Sequence, residues 1–145
     1  VTAATLHPRL QEIADEFNAI TGKERLQLLL EFSQELPPLP GRYAEHHDLL
    51  EPVPECQSPV FVAVEVAEDA TVHLFFDAPP EAPTTRGFAG ILHAGLDGLS
   101  ADDVLATPGE FSSRLGLQDV VSPLRLRGIA AMLARIKRQI RERRG

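Results

Sequence analysis

The sequence predicts an α+β domain: a small central antiparallel sheet, a hairpin of two or three strands, packed by N-terminal and C-terminal helices. Three observations lead there. Apolar residues recur with helical period at both ends of the chain, two segments of alternating pattern lie side by side in the middle, and only AEDA separates those two. At 145 residues, 43% hydrophobic and 24% charged, the chain fits one domain, 1–145, and its composition excludes wholesale disorder.

The elements follow in order. Leu10, Ile13, Ala14 and Phe17 mark a first helix by their i, i+3, i+4, i+7 spacing. A second begins at Thr21-Gly-Lys-Glu24, which reads as a capping box, runs through RLQLLLEFSQEL and stops at Pro37-Pro38. Six prolines between Pro37 and Pro59 make that stretch a stiff, largely extended connector. Val60, Val62, Val64 and Val66 alternate with Phe61, Ala63 and Glu65, and Val72, Leu74 and Phe76 alternate with Thr71, His73 and Phe75: two strands of one hairpin. A helix fits Thr84 to about Leu96, where three glycines imply close packing. Ser100 and Asp103 cap a short helix over ADDVLA, and Pro108 to Leu115 is a short helix or turn. The last helix opens with Ser122 as N-cap and Pro123 in the first turn, and its stripe is Ile129, Met132, Leu133, Ile136 and Ile140.

Composition narrows the function classes. The single cysteine, Cys56, rules out an internal disulfide framework and any cysteine-rich zinc or iron–sulfur site. No apolar run is long enough to span a bilayer, and VTAATLHPRLQEIADEF lacks the pattern of a signal peptide, so a cytoplasmic protein in a reducing compartment is expected. From Arg125 onward eight basic residues face Glu142 alone, a charge of +7; the remaining 6 basic and 20 acidic residues give the rest of the chain −14. That polarity suits docking to a protein with a complementary surface and argues against nucleic acid, as do one Tyr and no Trp. Monomer and homodimer are both open.

Cys56 stands in Glu51-Pro-Val-Pro-Glu-Cys-Gln-Ser-Pro-Val-Phe61, just before the first long strand. A lone cysteine is commonly a small buried hydrophobe. Here Glu55, Gln57 and Ser58 and the flanking prolines place it on a rigid loop tip, where a thiol reaches into another protein's site; Glu51 and Glu55 disfavour its thiolate. Arg125 falls at the third position of the last helix, where a cation opposes the macrodipole, and four residues before Ile129 on the apolar stripe. An arginine so placed calls for an anionic partner, structural or functional, or else snorkels at the edge of the core. His46 and His47 read as solvated loop residues, His73 as a partly exposed strand position and His93 as near the polar side of its helix. The Arg/Lys run at 135–144 reads mostly as a solvated face.

Cys56-Gln57-Ser58 followed by Val60-Phe61 resembles the Cys-Gln-Ser-x-Val-aromatic signature of the SufE-type sulfur acceptors. LLLEFSQELPPLP, Arg86-Gly87 after the hairpin and Ser122-Pro-Leu-Arg125-Leu-Arg-Gly128 are similar to further segments of that family, in the same order. The residue before the cysteine, commonly glycine there, is Glu55, and the aromatic is Phe61 in place of Trp. The resemblance implies a carrier that takes sulfane sulfur from the persulfide of a pyridoxal-phosphate-dependent cysteine desulfurase, stimulates that enzyme and passes the sulfur to an iron–sulfur scaffold. Cys56 is then the acceptor, Arg125 an anion stabiliser or loop anchor, and Glu55, Gln57 and Ser58 shape the loop. No cofactor is expected on this chain, because the pyridoxal group belongs to the partner. A module that recruits or activates a desulfurase without carrying sulfur is the alternative; a redox sensor is disfavoured for want of a resolving cysteine.

Overall fold

In the computed structural model, which describes residues 5–144, the alternation of the central segments becomes an antiparallel sheet of order β1-β2-β3: β1 Glu51–Pro52, β2 Phe61–Val66 and β3 Val72–Asp77. Val62 faces Phe76 and Val64 faces Leu74 across the hairpin, and all four are buried on one side, as a period-2 pattern requires. Around it lie α1 Pro8–Asn18, α2 Lys23–Glu35, α3 Gly41–Ala44, α4 Pro83–Leu96, α5 Ala101–Leu105 and α6 Pro123–Arg143. The α+β expectation holds. The predicted stripes are the buried ones: Leu10, Ile13, Ala14 and Phe17 on α1, and Ile129, Met132, Leu133, Ile136 and Ile140 on α6.

The glycines of α4 set the depth of the core. A Cβ at Gly90 would stand 2.1 Å from the carbonyl oxygen of Phe32, one at Gly87 2.6 Å from that of Leu29, and one at Gly95 2.4 Å from Leu10 Cδ2. Helix α4 therefore meets α2 backbone to backbone. Arg86 fastens the same junction, donating to the carbonyls of Ser33 (2.9 Å) and Ala78 (2.6 Å) and so joining the end of α2 to the end of β3. Ser100 Oγ accepts from the Asp103 N–H at 3.1 Å and Ser122 Oγ from the Arg125 N–H at 3.3 Å, the two caps expected from the sequence.

Two expectations need correction. The capping box at Thr21 does not form: Gly22, at φ 51°, is the N-cap of α2 without a side-chain bond, and Thr21 offers Glu24 only its backbone carbonyl. The proline-rich connector is not mainly extended. It holds α3, a 3₁₀ turn at His47–Leu49 and β1, and lays Tyr43, Leu50 and Leu39 over Ala63, Phe61 and Phe75 on the second face of the sheet. Hydrophobic cover for that face outweighs the proline preference for extension. Tyr43 O–H donates to Glu65 at 2.8 Å, and His47, exposed as the sequence implies, meets Asp77 at 2.7 Å.

Candidate functional site

The loop carrying Cys56 is closed at its base by Val53 and Val60, both buried, whose backbones are joined by Val53 N–H to Val60 carbonyl at 2.9 Å. Pro54 starts a single 3₁₀ turn, Pro54–Cys56, in which the Cys56 N–H donates to the Val53 carbonyl at 3.1 Å. Gln57 then adopts φ 59°, ψ 8°, the left-handed region that side chains rarely enter, and its N–H returns to Pro54. The Ser58 carbonyl accepts from Val60 N–H at 2.8 Å. Gln57 and Glu55 are exposed and Ser58 is half-buried. The loop is thus closed through the backbones of Pro54, Gln57 and Ser58.

The thiol does not sit on an exposed tip. The Cys56 side chain turns inward, leaves the residue 7% exposed, and packs on α6 at Gly128, where an added Cβ would lie 3.0 Å from Sγ and 3.4 Å from Cα of Cys56. The missing side chain at 128 is what makes room for it. Burial pushes the thiol pKa up to about 11; the Glu55 charge adds to the rise, and Arg135 opposes it. Glu55 thus disfavours the thiolate as the sequence implies, but desolvation is the larger cause.

Helix α6 also grips the loop by charge. The Arg135 guanidinium lies 2.9 Å from Glu55 Oε1 and faces Glu51 Oε2 at 3.2 Å. Its Nε is buried and meets Glu51 without hydrogen-bond alignment, so that contact is one of charge. Glu51 is further paired with Arg138 and accepts from Gln139 Nε2 at 3.0 Å. Gln139 is buried, and its Oε1 accepts from the Val64 N–H at 3.0 Å, so one amide ties α6 to both β1 and β2. The Glu55 carboxyl is held below its usual range by its own backbone N–H and by Arg135. Sequence reasoning missed Arg135, Arg138 and Gln139. The signal for Gln139 was a polar residue beside Ile136 and Ile140 on the apolar stripe; nothing local pointed to the bonds of Arg135 and Arg138 with Glu55 and Glu51, 80 or more residues away, although Arg138 also pairs with Glu142 one turn on. The basic run is therefore not a free solvated face: Arg135 and Arg138 are paired as above, Lys137 bonds the Thr107 carbonyl, and Arg144 pairs with Asp102 at 2.8 Å.

Arg125 is exposed, and among the described residues its guanidinium has no hydrogen bond or ion pair; only its backbone N–H is engaged, by Ser122. The first turn of α6 runs beyond the core, and burial on that helix starts at Gly128, so position 125 carries no buried anionic partner. It lies one helical turn ahead of the glycine that seats Cys56. His73 and His93 each approach Asp97 Oδ1 at 3.8 Å, and that oxygen accepts from the Leu74 N–H at 2.8 Å, a bond that joins α4 to β3. Among the described residues no group of three His, Cys, Asp or Glu side chains is placed to hold a metal ion, and no helix is long and apolar enough to cross a membrane.

The model of the SufE family, described as an Fe–S metabolism associated domain, matches residues 11–140. The chain is 55% identical over 139 residues to an uncharacterized SufE-like protein of Mycobacterium tuberculosis, covering 96% of each. It is 30% identical over 129 residues to the SufE-like protein 1, chloroplastic/mitochondrial, of Arabidopsis thaliana, spanning 88% of this chain and 33% of that one. The solution structure of a hypothetical protein from Thermus thermophilus superposes with a TM-score of 0.84 at 39% identity, covering 96% of this chain and 98% of the other. A match across nearly the whole chain, with the cysteine loop, the Arg86-Gly87 pair and the Ser122–Gly128 segment each given a structural place, decides the family: the chain belongs to the SufE family of Fe–S metabolism associated domains.

Proposed function

We propose that this protein carries sulfur in Fe–S metabolism, with Cys56 as the acceptor of sulfane sulfur from the persulfide of a pyridoxal-phosphate-dependent cysteine desulfurase. The Cys56 thiol gives up its proton and attacks the outer sulfur of the partner's persulfide. The partner's S–S bond breaks, its cysteine leaves as a thiolate, and the new S–S bond forms Cys56-SSH, with no net oxidation. The cargo then passes to an iron–sulfur assembly scaffold. Cytoplasmic reducing conditions keep Cys56 in the thiol form between rounds. Gln57 and Ser58 shape the loop, and exposed Arg125 is free to meet an anion at the docked interface.

The observation that supports this reading is the setting of the lone cysteine in a SufE-family chain. It occupies a short loop hinged at Val53 and Val60, so the thiol is presented by moving that loop while the sheet stays intact. At rest the thiol is sheltered, which limits loss of sulfur or oxidation in free solution. Incubation with a desulfurase and cysteine adds one sulfur mass to the protein, removable by reductant, and Cys56→Ser abolishes both the adduct and the stimulation of the desulfurase.

A second reading, a module that activates the desulfurase without carrying sulfur, draws on a thiol pushed up to about 11 and on Glu55 beside it. Stimulation by Cys56→Ser equal to that of the parent decides for it.

A further inference from the structure

We propose that Arg135 is a positioning residue: by bridging Glu51 and Glu55 it latches the Cys56 loop against α6 and sets how often the thiol becomes accessible. The use made of that thiol rests on the sulfur-carrier reading; the latch itself does not.

Two kinds of contact hold Cys56 in place, one apolar and one polar. Its apolar hold is its place in the buried core cluster, where it packs on Gly128; that packing carries no direction of its own and leaves the polar contact to fix the loop. The polar hold is concentrated on one guanidinium. Arg135 reaches Glu55, the residue next to Cys56, at 2.9 Å and 3.1 Å, and Glu51, at the foot of the loop, at 3.2 Å. Arg138 and Gln139 keep Glu51 on α6, but neither touches Glu55. Glu51 is thus a fixed anchor, and Arg135–Glu55 is the bond that must break for Cys56 to turn outward. The side chains of Arg135 and Glu55 are 21% and 46% exposed, so solvent ions reach the pair and screening weakens it.

Removing Arg135 separates two effects of opposite sign. As a nearby cation it favours the Cys56 thiolate, so its loss from a closed loop slows alkylation. As a latch its loss opens the loop and speeds alkylation. Cys56 is the only thiol, so labelling by neutral iodoacetamide reports on it alone. Arg135→Gln is expected to label roughly fivefold faster or more, the scale of one partly exposed ion pair. The wild-type rate rises between about 0.05 and 1 M NaCl, where the screening length falls from over 10 Å to about 3 Å, and the Arg135→Gln rate stays flat. Glu55→Gln also labels faster, and the double variant is no faster than the faster single one. Arg144→Gln, which removes an ion pair to Asp102 away from the loop, leaves labelling unchanged and controls for general loosening. An Arg135→Gln rate at or below wild type, a salt-independent wild-type rate, or equal acceleration by Arg144→Gln overturns the latch. None of these outcomes depends on a desulfurase, so failure of the latch and failure of sulfur acceptance are read separately.

Discussion

Gly128 is the seat of Cys56: a methyl group at that position would stand 3.0 Å from the thiol sulfur, closer than two unbonded groups settle without one of them moving. The Ser122–Gly128 segment thus joins the cap that starts α6 to the residue that shelters the thiol nearly two turns later.

Gly128→Ala follows directly from this contact. Alanine improves the helix by about 1 kcal/mol, while the new methyl presses on both Sγ and Cα of Cys56. The two effects oppose each other, so the melting temperature stays close to that of the parent and the loop gives way. Iodoacetamide labelling of Cys56 then rises several-fold. Unchanged labelling with a raised melting temperature would show that the seat yields without displacing the cysteine.

Gly90→Ala acts on the other side of the molecule. Its Cβ would lie 2.1 Å from the carbonyl oxygen and 2.7 Å from the carbonyl carbon of Phe32, both backbone atoms that no rotamer change removes. Helices α2 and α4 must separate, with a loss of about 3 kcal/mol and a melting temperature lower by roughly 6–12 °C. Equilibrium denaturation measures it; a loss under about 1 kcal/mol contradicts the backbone contact as described.

The thiol gives stability a pH window. Its folded pKa of about 11 lies above the ordinary 9.0, so between those values the folded state keeps a proton that the unfolded state releases. This contribution is complete below about pH 9 and is lost as pH rises toward 11. Tyr43, also raised by its burial and by Glu65, is present in both proteins, so the comparison is made against Cys56→Ser. The stability difference between parent and Cys56→Ser is expected to shrink as pH rises through that window, and a constant difference refutes the raised value. Alkylation of the folded parent keeps rising through about pH 9–10 without a plateau.

What the sequence disclosed and what it hid divide along chain distance. Stripes, caps and punctuating glycines act within a turn or two, and Leu10 to Phe17, Ser100, Ser122 and the α4 glycines all stand as their patterns imply. Strand β1, two residues at Glu51–Pro52 in a proline-rich stretch, exists because Val62 and Phe61 lie opposite it, which is a tertiary fact. The cysteine loop is readable as a loop, but the direction of its side chain is not. That direction is fixed by Gly128 and Arg135, which follow Cys56 by 72 and 79 residues. Nothing in the local pattern marks Gly128 as a seat for sulfur, and Arg135 stands in a charged run that looks like a solvated face.

Arg125 stands exposed in the first turn of α6, one helical turn ahead of Gly128. Two unfavourable features are visible in its sequence position, a cation in the first turn and a place in register with the apolar stripe. The structure removes the second: the side chain is exposed and bonds no carboxylate among the described residues. A purely structural arginine would resist replacement, whereas the guanidinium of this one bonds nothing among the described residues, and its loss also relieves the helix dipole. Arg125→Ala is therefore expected to change stability by no more than about 0.5 kcal/mol. If Arg125 meets the transferring anion when the partner docks, the same variant loses sulfur acceptance roughly tenfold or more, the scale of about 1.4 kcal/mol. Lysine keeps the charge but not the planar fork, so Arg125→Lys recovers only part of the rate. Intact-mass time courses with a desulfurase and cysteine, run beside thermal melts, measure both quantities. Wild-type sulfur acceptance by Arg125→Ala removes this residue from the transfer step, and a melting temperature lowered by several degrees would instead reveal a structural partner.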